Sequence, residues 1–446
     1  MREVGILVAT YTEALNFIHG RDRFKKAPTL KRMRYFMKLL GDPQEHLSMI
    51  HVAGTNGKGS TVAFLRDLLM ADGQTVGTFT SPFITRFNER ISRDGVPISD
   101  DDLVAMVNQV QPVVAQLDQE LAEKGPTEFE IDTALMFCYF AAHPVDTVVV
   151  EVGLGGLFDS TNIITPAVSV ITTIGMDHMR LLGDTIPEIA AQKAGIIKPH
   201  VPVVCGRLTA DALAVMDQTA ARQATQVAAL DRNFQVTRQP TDQWGERFDY
   251  RYQEWHWSHL QEDLLGQYQV DNAATALTAF VTYQSQRHAA IDAATVRNGL
   301  AHTAWPGRFE RLNDQPLIAI DGAHNEPAMV EMAQLLRQHF ATNEVYIVLA
   351  VLADKQYTQM VQTLLTVPNV HLIVTQFAGP GKRAAATPLA LEEAVPQHDR
   401  ITMAADWPAA LKQALGTMSA EDLLLLTGSL YFISEVRHYF KDDAAE

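Results

Sequence analysis

Cysteine is scarce in this chain: its 446 residues hold two, Cys138 and Cys205. Both lie in apolar surroundings, "MFCYF" and "VPVVCGRL", which suit a buried free thiol and argue against a disulfide or a metal ligand. Long hydrophobic runs are also missing. The longest, such as "YIVLAVLA", are too short to span a bilayer, and the apolar start "MREVGILVATYTEALNF" has no cleavage pattern. Positive charge is in short supply, with 36 Lys and Arg against 52 Asp and Glu and a formal net charge of -16. That balance excludes a general nucleic-acid or anionic membrane surface, so any anionic ligand must be held by local charges. There is no short-period repeat and no low-complexity tract, and only the terminal "KDDAAE" reads as disordered. These absences describe a cytoplasmic protein without nucleic-acid or membrane partners.

What is present is an ordinary globular composition, 47% hydrophobic and 20% charged, in a chain too long for one hydrophobic core. Its first distinctive stretch is "MIHVAGTNGKGSTVAFLRDLL". Met49, Ile50, Val52 and Ala53 form a short apolar run suited to a buried strand, and Val62, Phe64, Leu65, Leu68 and Leu69 recur at helical spacing. Between them Gly54-Thr55-Asn56-Gly57-Lys58-Gly59-Ser60 resembles a phosphate loop with altered spacing. The common pattern has four residues between its first Gly and the Gly-Lys pair, followed by Ser or Thr. Here the interval is shorter, and Gly59 stands where the hydroxyl belongs. The chemistry survives the change: glycines let backbone N-H groups surround phosphate oxygens, the helix N-terminus adds its dipole, and Lys58 adds a mobile charge. Ser60 or Thr61 is then placed to reach Mg2+.

Further apolar strands follow. "QTVGTFTSP" ends at Ser81-Pro82, "DTVVVEVGLGG" at Glu151, "AVSVITTIGMDH" near Asp177 and His178, and "VPVVCG" follows a helix containing "IPEIAAQKAG". Continuous apolar strands alternating with helices predict an α/β fold with a mostly parallel sheet in an N-terminal phosphate-loop domain, residues 1–300. Within it, "FQVTRQPTDQWGERFDYRYQEWHW" alternates aromatic and polar residues and reads as antiparallel hairpins appended to that sheet. After "NGLAHTAWPGRFERL" the alternation restarts in "LIAIDGAHN", "EVYIVLAVLADKQ", "NVHLIVTQF" and "DLLLLTGSLYFISEVRHYF". This predicts a smaller, Rossmann-like C-terminal α/β domain over 304–446, with ligands beyond the carboxyl ends of its strands.

Several residues on these strand ends can do chemistry. Glu151 beside a phosphate loop suits Mg2+, and "VGLGG" after it permits close approach of backbone and ligand. His178 shares the expected strand-end face and makes a second metal site conceivable, with Asp177 to orient it. Lys193 alone reads as a solvated helical lysine. Lys31, Arg32, Arg34 and Lys38 lie in "LKRMRYFMKLL", whose apolar spacing describes a packed helix with a solvated face. Arg308 in "WPGRFE" lies at the domain junction, and Asp321 and His324 follow the strand "LIAI", so these groups suit a closing nucleotide site or an interdomain ion pair.

Taken in order, "GTNGKGS", "TSPF" with "FNERI", "EVGLGGLFDSTN", "TTIGMDH", "LGDTIPEIAAQKAGIIK", "WPGRFE", "DGAHN" and "TGSLYFISEVR" resemble the folylpolyglutamate synthase and dihydrofolate synthase family of Mur-type amide ligases. The resemblance covers nearly the whole chain, and the shortened phosphate loop is part of it. It implies that Gly54, Thr55, Asn56, Gly57, Lys58, Gly59 and Ser60 bind ATP phosphates, and that Ser81, Glu151 and His178 hold one or two Mg2+ ions. It also implies that Asn272, Arg308 and Asp321 contact the nucleotide. Lys193 matches a lysine that the family carbamylates, and His324 and Ser429 match positions at the incoming glutamate and the reaction centre. Lys58, Lys193, His324 and Ser429 are thus the expected catalytic set.

The implied reaction activates a folate glutamyl carboxylate as an acyl phosphate and joins it to L-glutamate, in an enzyme expected to be monomeric. Reduced folate, L-glutamate and ATP are the implied partners. Two departures from the family pattern stand out: Phe83 follows Ser81-Pro82 where His is frequent, and Glu326 precedes Pro327 after "DGAHN". The first bears on use of dihydropteroate, so folylpolyglutamate synthesis is the favoured reaction. A Mur ligase for UDP-linked precursors usually has an additional N-terminal domain, for which a loop opening at residue 54 leaves no room. A phosphate-loop ATPase acting as a switch would have no use for the strand-end motifs of the second domain.

Overall fold

The apolar run before the glycine loop becomes β1 (Met49–Ala53), and each of its residues is buried. The structure is a computed structural model that describes residues 7–22, 29–121, 125–241, 243–379, 383–395 and 399–442. After β1 come β2 (Val76–Phe79), β3 (Ile91–Arg93), β4 (Val96–Pro97), β5 (Thr147–Glu151), β6 (Val168–Ile171), β7 (Val203–Cys205) and β8 (Val227–Ala229). These eight form one sheet in the order β4-β3-β2-β5-β1-β6-β7-β8. From β2 to β8 the pairings are parallel, with Val52 of β1 opposite Glu151 on one side and Val170 on the other. Only the β2-β3 and β3-β4 pairings are antiparallel.

Burial on both faces explains why β5 reads as unbroken valine. Phe36, Val110, Phe137 and Phe140 pack in one core cluster with Phe79, Val148 and Val150 of the sheet. Ile189, Met216 and Ala220 pack in another with Ile171, Val203 and Cys205. Cys138 and Cys205 are free, and burial pushes both thiols up to about 12. Among the described residues, no helix is long and apolar enough to cross a membrane.

The aromatic segment forms its own sheet. β9 (Phe234–Gln239), β10 (Glu246–Tyr252) and β11 (Trp255–Glu262) pair in the order β11-β10-β9, separate from the large sheet to which the sequence pattern appends them. The reason lies in its aromatic side chains, which pack on one another: Tyr250 stacks on Trp257 and Trp257 on Trp255, with ring centroids 5.7 and 5.3 Å apart.

Five parallel strands and an antiparallel edge form the third sheet. They are β12 (Glu310–Asp314), β13 (Leu317–Asp321), β14 (Val345–Leu349), β15 (Val370–Val374), β16 (Ile401–Met403) and β17 (Leu423–Thr427), in the order β12-β13-β17-β14-β15-β16. β12 is the antiparallel edge. Core clusters containing Leu336, Val361 and Leu425, and Leu424, Phe432 and Ile433, cover it. The chain divides into two compact units, Met1–Thr237 with Asp249–Leu260 and Asp271–Thr303, and Arg238–Phe248 with Gln261–Val270 and Ala304–Glu446. Of the "KDDAAE" tail, Lys441 and Asp442 close the Leu430–Asp442 helix, and 443–446 lie outside the described residues.

Asp132, on the Glu128–Ala142 helix of the first unit, is an unusual core residue. Neither of its carboxyl oxygens has a hydrogen-bond partner, and the nearest charge is Arg90 Nε at 3.7 Å. Burial raises its pKa to about 7, against the opposing pull of Arg90. The folded chain therefore keeps a proton that the unfolded chain releases near 3.8, and stability falls as pH climbs through that window. Asp132→Asn should flatten this fall and raise Tm at about pH 8 relative to the parent. Equal slopes of Tm against pH in the two proteins would contradict it.

Candidate active site

Beyond β1 the chain turns through Gly54-Thr55-Asn56-Gly57 into the Lys58–Ala71 helix. Gly57 caps that helix with φ +82°, a conformation that a side chain makes costly. Two threonines just past β6 grip the loop. Thr172 Oγ1 donates to Asn56 O at 2.6 Å, Thr173 Oγ1 to the same oxygen at 3.0 Å, and Asn56 N donates to Thr173 Oγ1 at 3.0 Å. The approach is so close that a Cβ on Gly54 would lie 1.8 Å from Thr172 Oγ1.

Held this way, the loop presents the first N-H groups of the helix, which have no partner inside it, at the end where anions are favoured. Ser60 Oγ and Thr61 Oγ1 are buried there without hydrogen-bond partners. Lys58 Nζ donates to Gly54 O and Thr55 O at 3.2 and 3.3 Å, and lies 4.0 Å from Glu151 Oε1. Glu151 ends β5 and is buried, and its Oε2 accepts the Ser81 N-H at 3.1 Å. Thus Lys58, Ser60, Ser81 and Glu151 gather at neighbouring carboxyl ends of β1, β2 and β5.

Lys193 joins them by a route that glycines make possible. Its helix, Ile186–Ala194, presses against the loop after Glu151: Leu157 N donates to Gln192 O at 2.7 Å, and a Cβ on Gly156 would lie 2.7 Å from that oxygen. Gly195 likewise has no room for a side chain beside Leu157. The contact delivers Lys193 Nζ, buried, to Gly54 O at 2.8 Å. Burial lowers the lysine to about 7, the Lys58 charge adds to the fall, and Asp177 and Asp159 oppose it. The plain reading as a solvated helical lysine is overturned by this burial.

His178 sits differently. The strand read as running to Asp177 ends at Ile171, so His178 lies in a loop beyond it, at φ +51°, with its side chain half exposed. Its N-H donates to Asp177 Oδ1 at 2.8 Å, and ring Nε2 lies 3.9 Å from Asp177 Oδ2. Among the described residues no three His, Cys, Asp or Glu side chains form a metal-binding group. An ion here would draw on hydroxyl oxygens together with Glu151.

Asn272 is buried against the loop itself, since a Cβ on Gly57 would meet Asn272 Oδ1 at 2.3 Å. Its neighbour Asp271 fixes it there by accepting from Arg207 Nε and Nη2 at 2.6 and 3.0 Å, just beyond β7. Arg207, Asp271, Thr172 and Thr173 were not singled out from the sequence. A polar pair directly after an apolar strand, as in "VITTIG", is the signal that was available for the threonines.

In the second unit Asp321 and Thr427 are partners in register on parallel β13 and β17, so "DGAHN" and "TGS" leave neighbouring strand ends together. Thr427 Oγ1 donates to Asp321 O at 2.8 Å, and Gly428, at φ +111°, donates its N-H to Ala323 O at 3.1 Å. Asp321 is buried and accepts the N-H groups of Phe309 and Ala323 at 2.9 and 2.8 Å. Burial raises its pKa, and Arg308 and these N-H groups oppose the rise. His324 Nδ1 lies 2.8 Å from Gly322 O, which as an acceptor fixes a proton on Nδ1. Ser429 is buried at the start of the following helix.

Residues 52–280 match the Mur ligase middle domain, and residues 307–430 the Mur ligase glutamate ligase domain. The dihydrofolate synthase/folylpolyglutamate synthase of Bacillus subtilis is 41% identical over 98% of this chain and all of its own length. The chain belongs to the folylpolyglutamate synthase and dihydrofolate synthase family of Mur ligases. The folylpolyglutamate synthase of Lacticaseibacillus casei is likewise 41% identical, over 96% of this chain and 98% of its own. Among solved structures, Mycobacterium tuberculosis folylpolyglutamate synthase complexed with ADP aligns with TM-score 0.89 and 33% identity, covering 96% of this chain and 98% of that one. An FPGS-AMPPCP-folate complex aligns with TM-score 0.85 and 39% identity, covering 97% and 99%. The altered phosphate loop is therefore a Mur ligase loop, and the middle-domain match spans it.

Gly57→Ala tests the geometry of this Mur ligase loop. The new methyl group would displace Asn272 and strain the turn, so ADP affinity should fall by at least about ten-fold with unchanged circular dichroism. Parent-like ADP affinity in a calorimetric titration would contradict the placement of Asn272.

Proposed function

We propose that the protein is an ATP-dependent ligase that joins L-glutamate to the glutamyl carboxylate of a reduced folate, giving folylpolyglutamates, ADP and phosphate. The observation that carries this reading is the presence of a glutamate ligase domain, residues 307–430, in the same chain as the phosphate loop. A nucleotide switch would need only the loop.

In this reading Lys58 and the N-H groups of the loop bind the phosphates of ATP, with Asn272, Arg308 and Asp321 contacting the nucleotide. The donor set fits ATP with Mg2+, because buried hydroxyls without protein partners, Ser60 and Thr61, stand at the helix N-terminus beside Glu151. Ser60, Ser81 and Glu151 would hold Mg2+, with His178 for a second ion, and the metal supplies neutralisation of charge on the phosphates. The folate carboxylate attacks the γ-phosphorus and ADP leaves, giving an acyl phosphate. The amine of glutamate then attacks the acyl carbon, phosphate departs with the bonding pair, and the amine proton is lost. Lys58 offsets the repulsion between a carboxylate and a polyanion in the first step. His324 and Ser429 serve the incoming glutamate and the reaction centre.

Lys193 acts here as a carbamate. A neutral amine adds to CO2 and releases a proton, and a lysine with pKa about 7 is substantially neutral near neutrality. The product is an anion beside Lys58, which reverses the like-charge repulsion between the two lysines. The same reading has the protein working as a cytoplasmic monomer. A second activity, glutamate addition to dihydropteroate, has support from the bifunctional name of the Bacillus subtilis relative. Phe83 after Ser81-Pro82 favours the folate reaction over it.

The test is ADP release by the purified protein with Mg2+, ATP and L-glutamate, offered a reduced folate or dihydropteroate in parallel, with product masses recorded. A product heavier by one glutamate on the folate supports the reading, and failure of both substrates in a protein that binds ATP overturns it. Lys58→Ala should reduce turnover by more than about a thousand-fold while Tm stays near the parent value. Carbon-13 bicarbonate should give a carbamate signal that Lys193→Ala removes, and the signal should weaken from about pH 8 to about pH 6 as protons compete for the amine. A parent spectrum without that signal would exclude the modification.

A further inference from the structure

We propose that Glu310 and Arg437 form a clamp that positions Arg308 for the nucleotide, which makes the end of the C-terminal helix part of the binding machinery. The proposal rests on the reading of Arg308 as a nucleotide contact given above. Arg308 stands between two residues in left-handed backbone conformations, Gly307 at φ +67° and Phe309 at φ +44°. For Phe309 that conformation costs on the order of 1 kcal/mol, so the turn persists only if its surroundings enforce it.

The enforcement is visible on both sides of Arg308. Phe309 N donates to Asp321 Oδ2 at 2.9 Å, and Gly322 N donates to Gly307 O at 2.8 Å. Arg308 N donates to Trp305 O at 3.3 Å, and Gly307 N donates to Glu310 Oε2 at 2.8 Å. Glu310 is fixed in turn from the Leu430–Asp442 helix: Arg437 Nε donates to Oε1 and Oε2 at 3.0 and 2.9 Å, and Lys441 Nζ lies 3.1 Å from Oε1. The Glu310 and Arg437 side chains are largely buried, so solvent screens their pairing less than it would a surface pair. Burial opposes ionisation of Glu310, but Arg437 and the Gly307 N-H outweigh it and hold the carboxyl below its ordinary value.

The same helix also touches the seat of the Arg308 side chain. A Cβ on Gly322 would lie 2.4 Å from Arg308 Nη1 and 2.4 Å from Leu430 Cδ2, so guanidinium and helix start share the space above that glycine. One helix thus follows Ser429 at its beginning and locks the turn of Arg308 near its end. Glu310 and Arg437 are positioning residues, acting through Arg308.

A double-mutant cycle on the full chain tests this, reading Kd for ADP, the KM values for ATP and glutamate, and Tm. Arg437→Ala and Glu310→Gln should each weaken ADP by about ten-fold and raise KM for ATP to match, with KM for glutamate unchanged. On an Arg308→Ala background the Arg437→Ala loss should vanish, because there is no longer a side chain to position. Should Arg437→Ala fail to fold, Arg437→Lys carries the test, with an expected loss of about three-fold from its single donor point. Weakened ADP binding in Arg308→Ala but not in the Arg437 or Glu310 variants would overturn the clamp alone, as would full additivity. Unchanged ADP binding in Arg308→Ala would overturn the reading of Arg308 and the clamp with it.

Discussion

The nucleotide end of the large sheet depends on the grip of Thr172 and Thr173 on Asn56. Their hydroxyls satisfy the main-chain oxygen and N-H of that residue, which lets the loop turn sharply without spending the N-H groups of the following helix. Those groups remain for an anion, and the helix dipole acts at the same place. The grip requires Gly54 against Thr172, and Asn272 separately requires Gly57. The fold of the first unit brings β6 beside β1, and the chemistry of the loop follows from that adjacency.

Charge is then concentrated where the backbone has made room for it. Lys58 and Lys193 both reach the Gly54 carbonyl, an arrangement that raises the electrostatic cost of a second positive charge. Burial first, and the Lys58 charge second, lower the Lys193 pKa below that of an exposed lysine. In a chain of net charge -16, Lys58 at the helix N-terminus is a local positive charge. The second unit uses the same structural idea with different groups, since parallel β13 and β17 release "DGAHN" and "TGS" from adjacent strand ends.

Much of this was legible in the sequence where the signal is local. The Val-rich strand ending at Glu151, the glycine loop and its helix, and the restart of strand-helix alternation after residue 304 each depend on neighbours in the chain. Long-range pairings leave no such period. Arg207 with Asp271, Glu310 with Arg437, and the threonines behind Asn56 become visible only when strands distant in sequence are set side by side. Spacing alone reads Lys193 as a solvated lysine, and only the family resemblance draws it to the site, because helical spacing cannot show that Gly156 and Gly195 let its helix sink against a neighbouring loop. The aromatic segment forms strands as its alternation suggests, but they make a sheet of their own and are not appended to the large one. The run "AVSVITTIGMDH" looked like one strand because its apolar character continues past Ile171, where the chain has already turned to support the phosphate loop.

Activation of a carboxylate by ATP is the central step of the proposed reaction, and oxygen transfer reports it directly. A reduced folate labelled with oxygen-18 in its terminal γ-carboxylate would be converted with ATP and L-glutamate, and the released phosphate analysed by mass. Passage through an acyl phosphate predicts one labelled oxygen in that phosphate for each amide formed. Unlabelled phosphate accompanying labelled amide product would contradict the account.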